Sequence, residues 1–242
     1  MEIEVKDLVQ RFGGILALNH VSLKIESKQI VGLIGPNGSG KTTLVNIIGS
    51  VLQPTSGDIY LDGKRVTGLK PHEMVRKGVS RTFQVTRAFR RMTVMENMLV
   101  PALAVSPGHG RPALEKRARE VLDFLTMDHL RNDYARSLSG GQQKLLELGQ
   151  LLMTDPQLLL LDEPFAGVHP RLMEKIFEYI LEIHAQGKSF LIISHDMDSI
   201  FTLCQRLVVL SYGELIADGD PQVVKLDEAV IEAYLGEEVE DA

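Results

Sequence analysis

The residues best suited to chemistry form a glycine-rich segment between a short apolar run and a helical pattern. The segment matches G-x-x-x-x-G-K-[ST] and consists of Gly35, Pro36, Asn37, Gly38, Ser39, Gly40, Lys41 and Thr42. Such glycines let backbone N–H groups point at phosphate oxygens, while the lysine reaches the outer phosphates and the threonine hydroxyl can bind Mg²⁺. We therefore assign phosphate binding to this segment and to Thr43. The alternative is a glycine-rich turn that only begins a helix.

An acidic pair could supply the metal-binding carboxylate and the general base that a nucleotide-hydrolysing site needs in addition to the phosphate segment. Asp162 and Glu163 follow the apolar run 158–161. We expect Asp162 to reach the shell of the Mg²⁺ ion and Glu163 to polarise an attacking water. Carboxylates at strand ends are common, so the pair indicates nucleotide hydrolysis only in combination with the phosphate segment.

A third segment begins another helix and consists of Leu138, Ser139, Gly140, Gly141 and Gln142. Ser139 is a natural N-cap, so a capped helix is the simplest interpretation. The serine and the paired glycines would also present N–H donors to an anion. One chain has no evident use for two such surfaces on one nucleotide, whereas two chains arranged head to tail do.

The elements that must position these residues are indicated by the hydrophobic pattern. Four short apolar runs lack polar alternation, as is typical of strands covered on both faces: 30–34, 158–161, 190–193 and 207–210. Helical periodicity follows Pro112 and Pro170. Short segments near the N-terminus, at 3–5, 21–25 and 59–61, alternate apolar with polar residues and predict an antiparallel sheet. The fold class is therefore α/β, with a mainly parallel sheet.

Composition excludes several classes of function. The chain has 242 residues, a formal net charge of −6 and one cysteine, Cys204. An intrachain disulfide and a cysteine-built zinc site are therefore excluded, and attraction to nucleic acid is not expected. No run approaches the roughly 18 to 20 apolar residues of a membrane span. If the protein serves a membrane, we expect it to do so through a partner.

Taken in order, the motifs resemble those of the nucleotide-binding subunits of ABC transporters. Segment 35–42 is similar to the Walker A loop, 138–142 to the signature and 158–163 to Walker B. The resemblance implies an ABC ATPase fold with a P-loop core, an N-terminal antiparallel β subdomain and an inserted helical subdomain. The single domain 1–242 would then consist of a RecA-like core with the antiparallel subdomain, at 1–85 and 155–242, and a helical subdomain at 86–154.

The resemblance also implies roles for residues outside these segments. Phe12 would stack on adenine, although a core phenylalanine at a strand end is the alternative. Gln84 would contact Mg²⁺ or the attacking water and sense the membrane partner. His195 would bond the γ-phosphate and hold Glu163 in register with it. Signature residues of one subunit would close over the ATP held by Walker A of another.

Finer details resemble the branched-chain amino-acid importer ATPases, a group with urea and short-amide relatives. They lie in segments 11–14, 79–84, 89–97 and 230–237. Two features depart from that branch. The signature is the general form, and His169 stands where the wider family usually has Asp and this branch often Asn.

The partners implied by the resemblance are transmembrane permease subunits, a second ATPase subunit of the same or another kind, and indirectly an external substrate-binding protein. The chain would then lie peripherally on the cytoplasmic face of the inner membrane. A soluble ABC ATPase without a transport role, for example in cluster assembly, remains an alternative, as does another cargo such as urea or amides. An inactive module is not supported, because Lys41, Glu163 and His195 are all present.

Three methionines after the Gln84 segment permit two interpretations. Met92, Met95 and Met98 are spaced at i, i+3 and i+6. Such spacing is typical of core packing, and the alternative is an adaptable groove for a permease helix.

Overall fold

The computed structural model describes residues 1–82, 88–105, 108 and 110–240, with the backbone alone for 235–240. Its strands are β1 (Ile3–Phe12), β2 (Ile15–Ile25), β3 (Ile30–Ile34), β4 (Ser56–Leu61), β5 (Lys64–Arg65), β6 (Val79–Arg81), β7 (Leu158–Asp162), β8 (Ser189–Ile193), β9 (Arg206–Ser211) and β10 (Glu214–Gly219). Its α-helices are α1 (Lys41–Ile48), α2 (Pro71–Arg76), α3 (Val94–Val105), α4 (Arg111–Phe124), α5 (Gly140–Leu152), α6 (Pro170–Ala185), α7 (Met197–Leu203), α8 (Pro221–Val224) and α9 (Glu228–Glu240).

A six-stranded sheet forms the centre of the molecule, in the order β10-β9-β3-β8-β7-β6. Strands β9, β3, β8, β7 and β6 are parallel, and β10 pairs antiparallel with β9. The four predicted buried strands are therefore confirmed. In parallel strands the carboxyl ends share one edge of the sheet, so the segments that follow β3, β7 and β8 meet there.

Alternate residues of each central strand pack into two different cores. In β7, Leu159 and Leu161 face a core built with helices α3 to α7, whereas Leu158 and Leu160 face a core built with α1 and the N-terminal strands. This burial on both faces explains why the strand lacks polar residues.

The N-terminal strands form the predicted antiparallel sheet, in the order β2-β1-β4-β5. Between β6 and β7 the described residues form helices α3, α4 and α5, and they contain no strand beyond a single bridge between Thr93 and Tyr134. The subdomain boundaries given above stay a prediction. None of the helices in the described part of the chain has both the length and the apolarity needed to cross a membrane.

Candidate functional site

The phosphate segment lies at the carboxyl end of β3 and leads into α1. Helix α1 has Gly40 as its N-cap, at φ 102°, and its first turn contains no acidic residue. No side chain in the described part of the chain caps it. The N–H groups of the first turn and the positive end of the helix dipole are thus left for an anion.

Close packing at Gly35 and two hydrogen bonds from Lys41 hold the phosphate segment in its conformation. Gly35 has φ +145°, and a Cβ atom there would lie 1.9 Å from the carbonyl oxygen of Leu210 in the neighbouring strand. Only glycine fits this position. The ammonium group of Lys41 donates to the carbonyl oxygens of Gly35 and Pro36, both at 2.7 Å. The lysine is therefore held across the mouth of the loop, where phosphates would lie.

The cleft beside this loop has a volume of about 240 Å³ and gathers the predicted chemical residues from separate elements. It is lined by Ala17, Asn37, Gly38, Ser39, Gly40, Lys41, Thr42, Thr43, Asp162, Glu163, Ile193 and His195. The structure thus brings most of the phosphate segment, the acidic pair and His195 together.

Glu163 adopts an unusual backbone conformation at the end of β7. Its φ is +51°, in the left-handed region that non-glycine residues rarely enter. The Oε1 atom of Glu163 lies 3.3 Å from Nε2 of His195, and the backbone N–H of His195 donates to Oε2 at 3.4 Å. Burial raises the pKa of the Glu163 carboxyl, and the nearby His195 opposes this shift. The carboxyl is therefore a stronger base than an exposed glutamate.

Asp162 is buried beside it, with 3% of its side chain exposed. Its backbone N–H donates to Oγ1 of Thr82 at 2.9 Å, whereas its Oδ2 atom accepts no hydrogen bond from any described residue. Burial raises the pKa of the Asp162 carboxyl, and the charge of Arg81 is the strongest influence in the opposite direction.

These atoms fit a magnesium ion bound together with a nucleotide. Within the described ranges, no three His, Cys, Asp or Glu residues cluster as metal ligands. A magnesium ion on nucleotide phosphates needs only one or two protein oxygens, because the phosphates and water supply the rest. Asp162, whose Oδ2 accepts no hydrogen bond from a described residue, and Thr42 line the same cleft, so the donor set suits this hard cation.

Phe12 and the signature residues 139–142 do not line the cleft. Phe12 is 47% exposed at the end of β1, so it is not a core residue, but it does not line the cleft. Gln84 lies outside the described residues. Ser139 caps α5 through a capping box with Gln142, and neither residue lines the cleft. This separation is the arrangement that the head-to-tail hypothesis requires.

Sequence reasoning missed three functional candidates that contact the site. Lys144 donates to the backbone carbonyl of Glu163 at 3.1 Å, Arg81 forms an ion pair with Asp162, and Ala17 lines the cleft. The only sequence feature that could have indicated a role for Arg81 is its charge at the end of a short strand. His169 has a local role in the structure, because its Nδ1 accepts from the backbone N–H of Arg171 at 3.3 Å and caps α6.

An apolar groove of about 380 Å³ lies between β6 and α2 on one side and α3 and α5 on the other. Val75 and Val79 face Val100 and Ala104 across it. None of the three methionines lines this groove in the described part of the chain, so the groove interpretation is not supported for them. Met98 is fully buried, and Met95 packs against the same core, because this face of α3 turns toward α5.

Comparisons with known proteins agree with this geometry. A family model described as ABC transporter matches residues 18–166, and another, described as branched-chain amino acid ATP-binding cassette transporter, matches residues 214–240. The high-affinity branched-chain amino acid transport ATP-binding protein BraF of Pseudomonas aeruginosa is 39% identical, with 97% of this chain and 98% of BraF covered. The corresponding protein LivG of Escherichia coli K12 is 37% identical over 97% of this chain and 98% of its own length.

Solved structures of ATP-binding cassettes are also similar to this chain over most of its length. The ADP conformation of an ATP-binding cassette of an ABC transporter is similar with a TM-score of 0.87 and 37% identity, covering 98% of this chain and 99% of the other. A dimeric ATP-binding cassette in a post-hydrolysis state, bound to ADP and phosphate, is similar with a TM-score of 0.82 and 27% identity, covering 90% of this chain and 98% of that chain.

Proposed function

The chain belongs to the ABC transporter family, in the branch of branched-chain amino acid transport ATP-binding proteins, and from that premise we propose how its residues bind ATP, hydrolyse it and drive transport. It is an ATP-binding subunit with ATPase activity. The observation that carries the proposed roles is the convergence of Lys41, Thr42, Glu163 and His195 on one cleft.

The phosphates of ATP bind to the backbone N–H groups of 37–43 at the uncapped start of α1. The ammonium group of Lys41 exchanges its two carbonyl contacts for the β- and γ-phosphate oxygens. Phe12, exposed at the end of β1, stacks on the adenine ring.

Magnesium is the metal that accompanies ATP at this site. The hydroxyl of Thr42, the carboxylate of Asp162 and the amide of Gln84 are the protein groups that would hold it. When bound, the ion neutralises charge on the phosphate oxygens.

Hydrolysis depends on Glu163. Its carboxylate orients a water molecule and accepts a proton from it as the water oxygen attacks the γ-phosphorus. The bond between the γ-phosphorus and the bridging oxygen breaks, leaving ADP and inorganic phosphate. The contacts of His195 with both carboxylate oxygens keep Glu163 in register, and its exposed ring can also reach the γ-phosphate.

Subunits of this family form dimers, as a related cassette does in its solved structure. In the proposed dimer the residues Ser139, Gly140, Gly141 and Gln142 contact the γ-phosphate of the ATP held by the opposite subunit. The start of α5 supports this role, because it is ordered by its capping box and lies outside the chain's own cleft. The opposite subunit is either a second copy or a related cassette.

The groove between β6 and α3 is the proposed contact with a transmembrane permease. Its apolar walls come from the core on one side and from the helical subdomain (86–154) on the other, so an inserted helix would sense their relative position. The chain would act on the cytoplasmic face of the inner membrane, with an external substrate-binding protein supplying branched-chain amino acids on the far side. Urea and short amides are the alternative cargoes, and cluster assembly is the alternative process.

The test uses the chain assembled with its permeases and binding protein in vesicles. Uptake of labelled leucine, isoleucine and valine should depend on ATP, whereas urea and acetamide should not enter. Ala104→Glu places a charge in the groove and should abolish uptake while ATP binding persists. Leu103→Glu is the matched control, because this neighbouring side chain is 55% exposed and does not line the groove. Normal uptake with Ala104→Glu would disprove the groove assignment.

A further inference from the structure

The strained backbone of Glu163 is held by hydrogen bonds from several elements. Its N–H donates to the carbonyl oxygen of Ile193 in β8 at 2.9 Å. Its own carbonyl oxygen accepts from the N–H of Ala166 at 3.3 Å and from Nζ of Lys144 at 3.1 Å. A left-handed conformation at a non-glycine residue persists only when its surroundings impose it. These contacts therefore determine where the carboxylate points.

Lys144 differs from the other two hydrogen-bond partners of Glu163, Ile193 and Ala166, because it belongs to the signature helix. It lies in α5, five positions after Ser139, which corresponds to about 7.5 Å along a helix. The first turn is rigid, since Oγ of Ser139 accepts from the N–H of Gln142 at 3.3 Å and the N–H of Ser139 donates to Oε1 of Gln142 at 2.8 Å. Displacement of the signature segment must therefore move Lys144.

The charge of Lys144 strengthens this contact. The lysine is partly buried and faces the end of β7, where Asp162 and Glu163 lie together. A hydrogen bond from a charged donor is roughly twice as strong as one between neutral groups.

We propose that Lys144 is a positioning residue that couples the signature helix to the catalytic carboxylate, so that Glu163 is aligned for hydrolysis only when α5 is in its ordered position. The proposal rests on the proposed roles of Glu163 and of the signature segment. In the proposed dimer the signature contacts the ATP of the opposite subunit. Binding of that ATP would therefore position α5 and, through the hydrogen bond from Lys144, the Glu163 that acts on the chain's own ATP. The two nucleotide sites of a dimer then communicate through one helix and one hydrogen bond.

The test compares Lys144→Met, which keeps the length but removes the charge, with Lys144→Arg, which keeps both. Lys116→Met is the control, since this lysine is exposed on α4. With the full chain, ATP and Mg²⁺, we expect Lys144→Met to lower kcat about 10-fold and to change the Kd for ATP by less than about twofold. Lys144→Arg should retain most of the wild-type kcat, and Lys116→Met all of it.

A second measurement separates positioning from folding. In a Glu163→Gln background, where chemistry is removed, adding Lys144→Met should leave ATP-dependent dimer formation in sedimentation unchanged. A wild-type kcat for Lys144→Met would overturn the proposal, as would loss of dimer formation in the double variant, because the lysine would then only support the signature helix. Lys144→Gln is measured in parallel, so that a neutral variant is available if methionine is not tolerated.

Two outcomes separate the coupling role of Lys144 from the catalytic role of Glu163. If Glu163→Gln alone hydrolyses ATP at the wild-type rate, the role of Glu163 is wrong and so is the coupling that depends on it. If Glu163→Gln is inactive and Lys144→Met is fully active, only the coupling is wrong.

Discussion

The guanidinium group of Arg81 lies 3.6 Å from the carboxylate of Asp162, and only 8% and 3% of the two side chains are exposed. The same guanidinium hydrogen-bonds the side chain of Asn46 in α1, and its Nε donates to the carbonyl oxygen of Thr82 at 3.1 Å. One buried cation therefore joins the helix after the phosphate loop, the strand that ends at Asp162, and the segment leading to Gln84.

Arg81→Met is expected to destabilise the protein by about 3 kcal/mol, because it leaves the charge of Asp162 buried without this partner. Urea unfolding measures the loss. Arg81→Met combined with Asp162→Asn should cost clearly less than the sum of the single changes, since neither buried charge is then left alone.

The matched control is Arg117→Met on α4, whose ion pair with Glu120 is exposed. Its cost should stay below about 1 kcal/mol. Equal costs for Arg81→Met and Arg117→Met would show that the buried pair has no special importance.

The strands that could be predicted are those buried on both faces, because such burial requires a short run of apolar residues without polar alternation. The four apolar runs predict β3, β7, β8 and β9 correctly for this reason. Strand β6 has three residues, two of them polar, and β10 owes its position to pairing with β9, so neither has a recognisable pattern.

Some residues of the site could likewise be predicted from the sequence, and others could not. Lys41 begins α1 in a recognisable glycine-rich motif, and Asp162, Glu163 and His195 lie at or just after the ends of buried strands, so short motifs predict them. Lys144 and Arg81 contribute through contacts with residues distant along the chain, and no local spacing reports such contacts. The position of Gln84 relative to the cleft stays a prediction, because this residue lies outside the described ranges.

His169 is expected to contribute to stability as the N-cap of α6. His169→Ala should lower the free energy of unfolding by about 1 kcal/mol, because the N–H of Arg171 loses its acceptor. His169→Asp should restore this loss, since aspartate caps well and suits the positive end of the helix dipole. Thermal unfolding of the three proteins provides the comparison, and an unchanged midpoint for His169→Ala would refute the capping role.

Cys204 is expected to be chemically inert in the folded protein. Burial raises the pKa of its thiol to about 12. At about pH 8 the thiol therefore stays protonated, whereas an exposed cysteine is partly ionised and reactive. Iodoacetamide should label it only after unfolding in concentrated guanidinium chloride. Rapid labelling of the native protein would show that Cys204, at the end of α7, is not buried in solution.

The role of Glu163 as the general base is tested by measuring ATP hydrolysis and dimer formation of Glu163→Gln, with Glu120→Gln on the exposed face of α4 as the control. We expect Glu163→Gln to lower kcat at least about 100-fold, because the general base is lost. This variant should sediment as an ATP-bound dimer, while Glu120→Gln should behave as wild type. Hydrolysis by Glu163→Gln at the wild-type rate would show that Glu163 is not the general base.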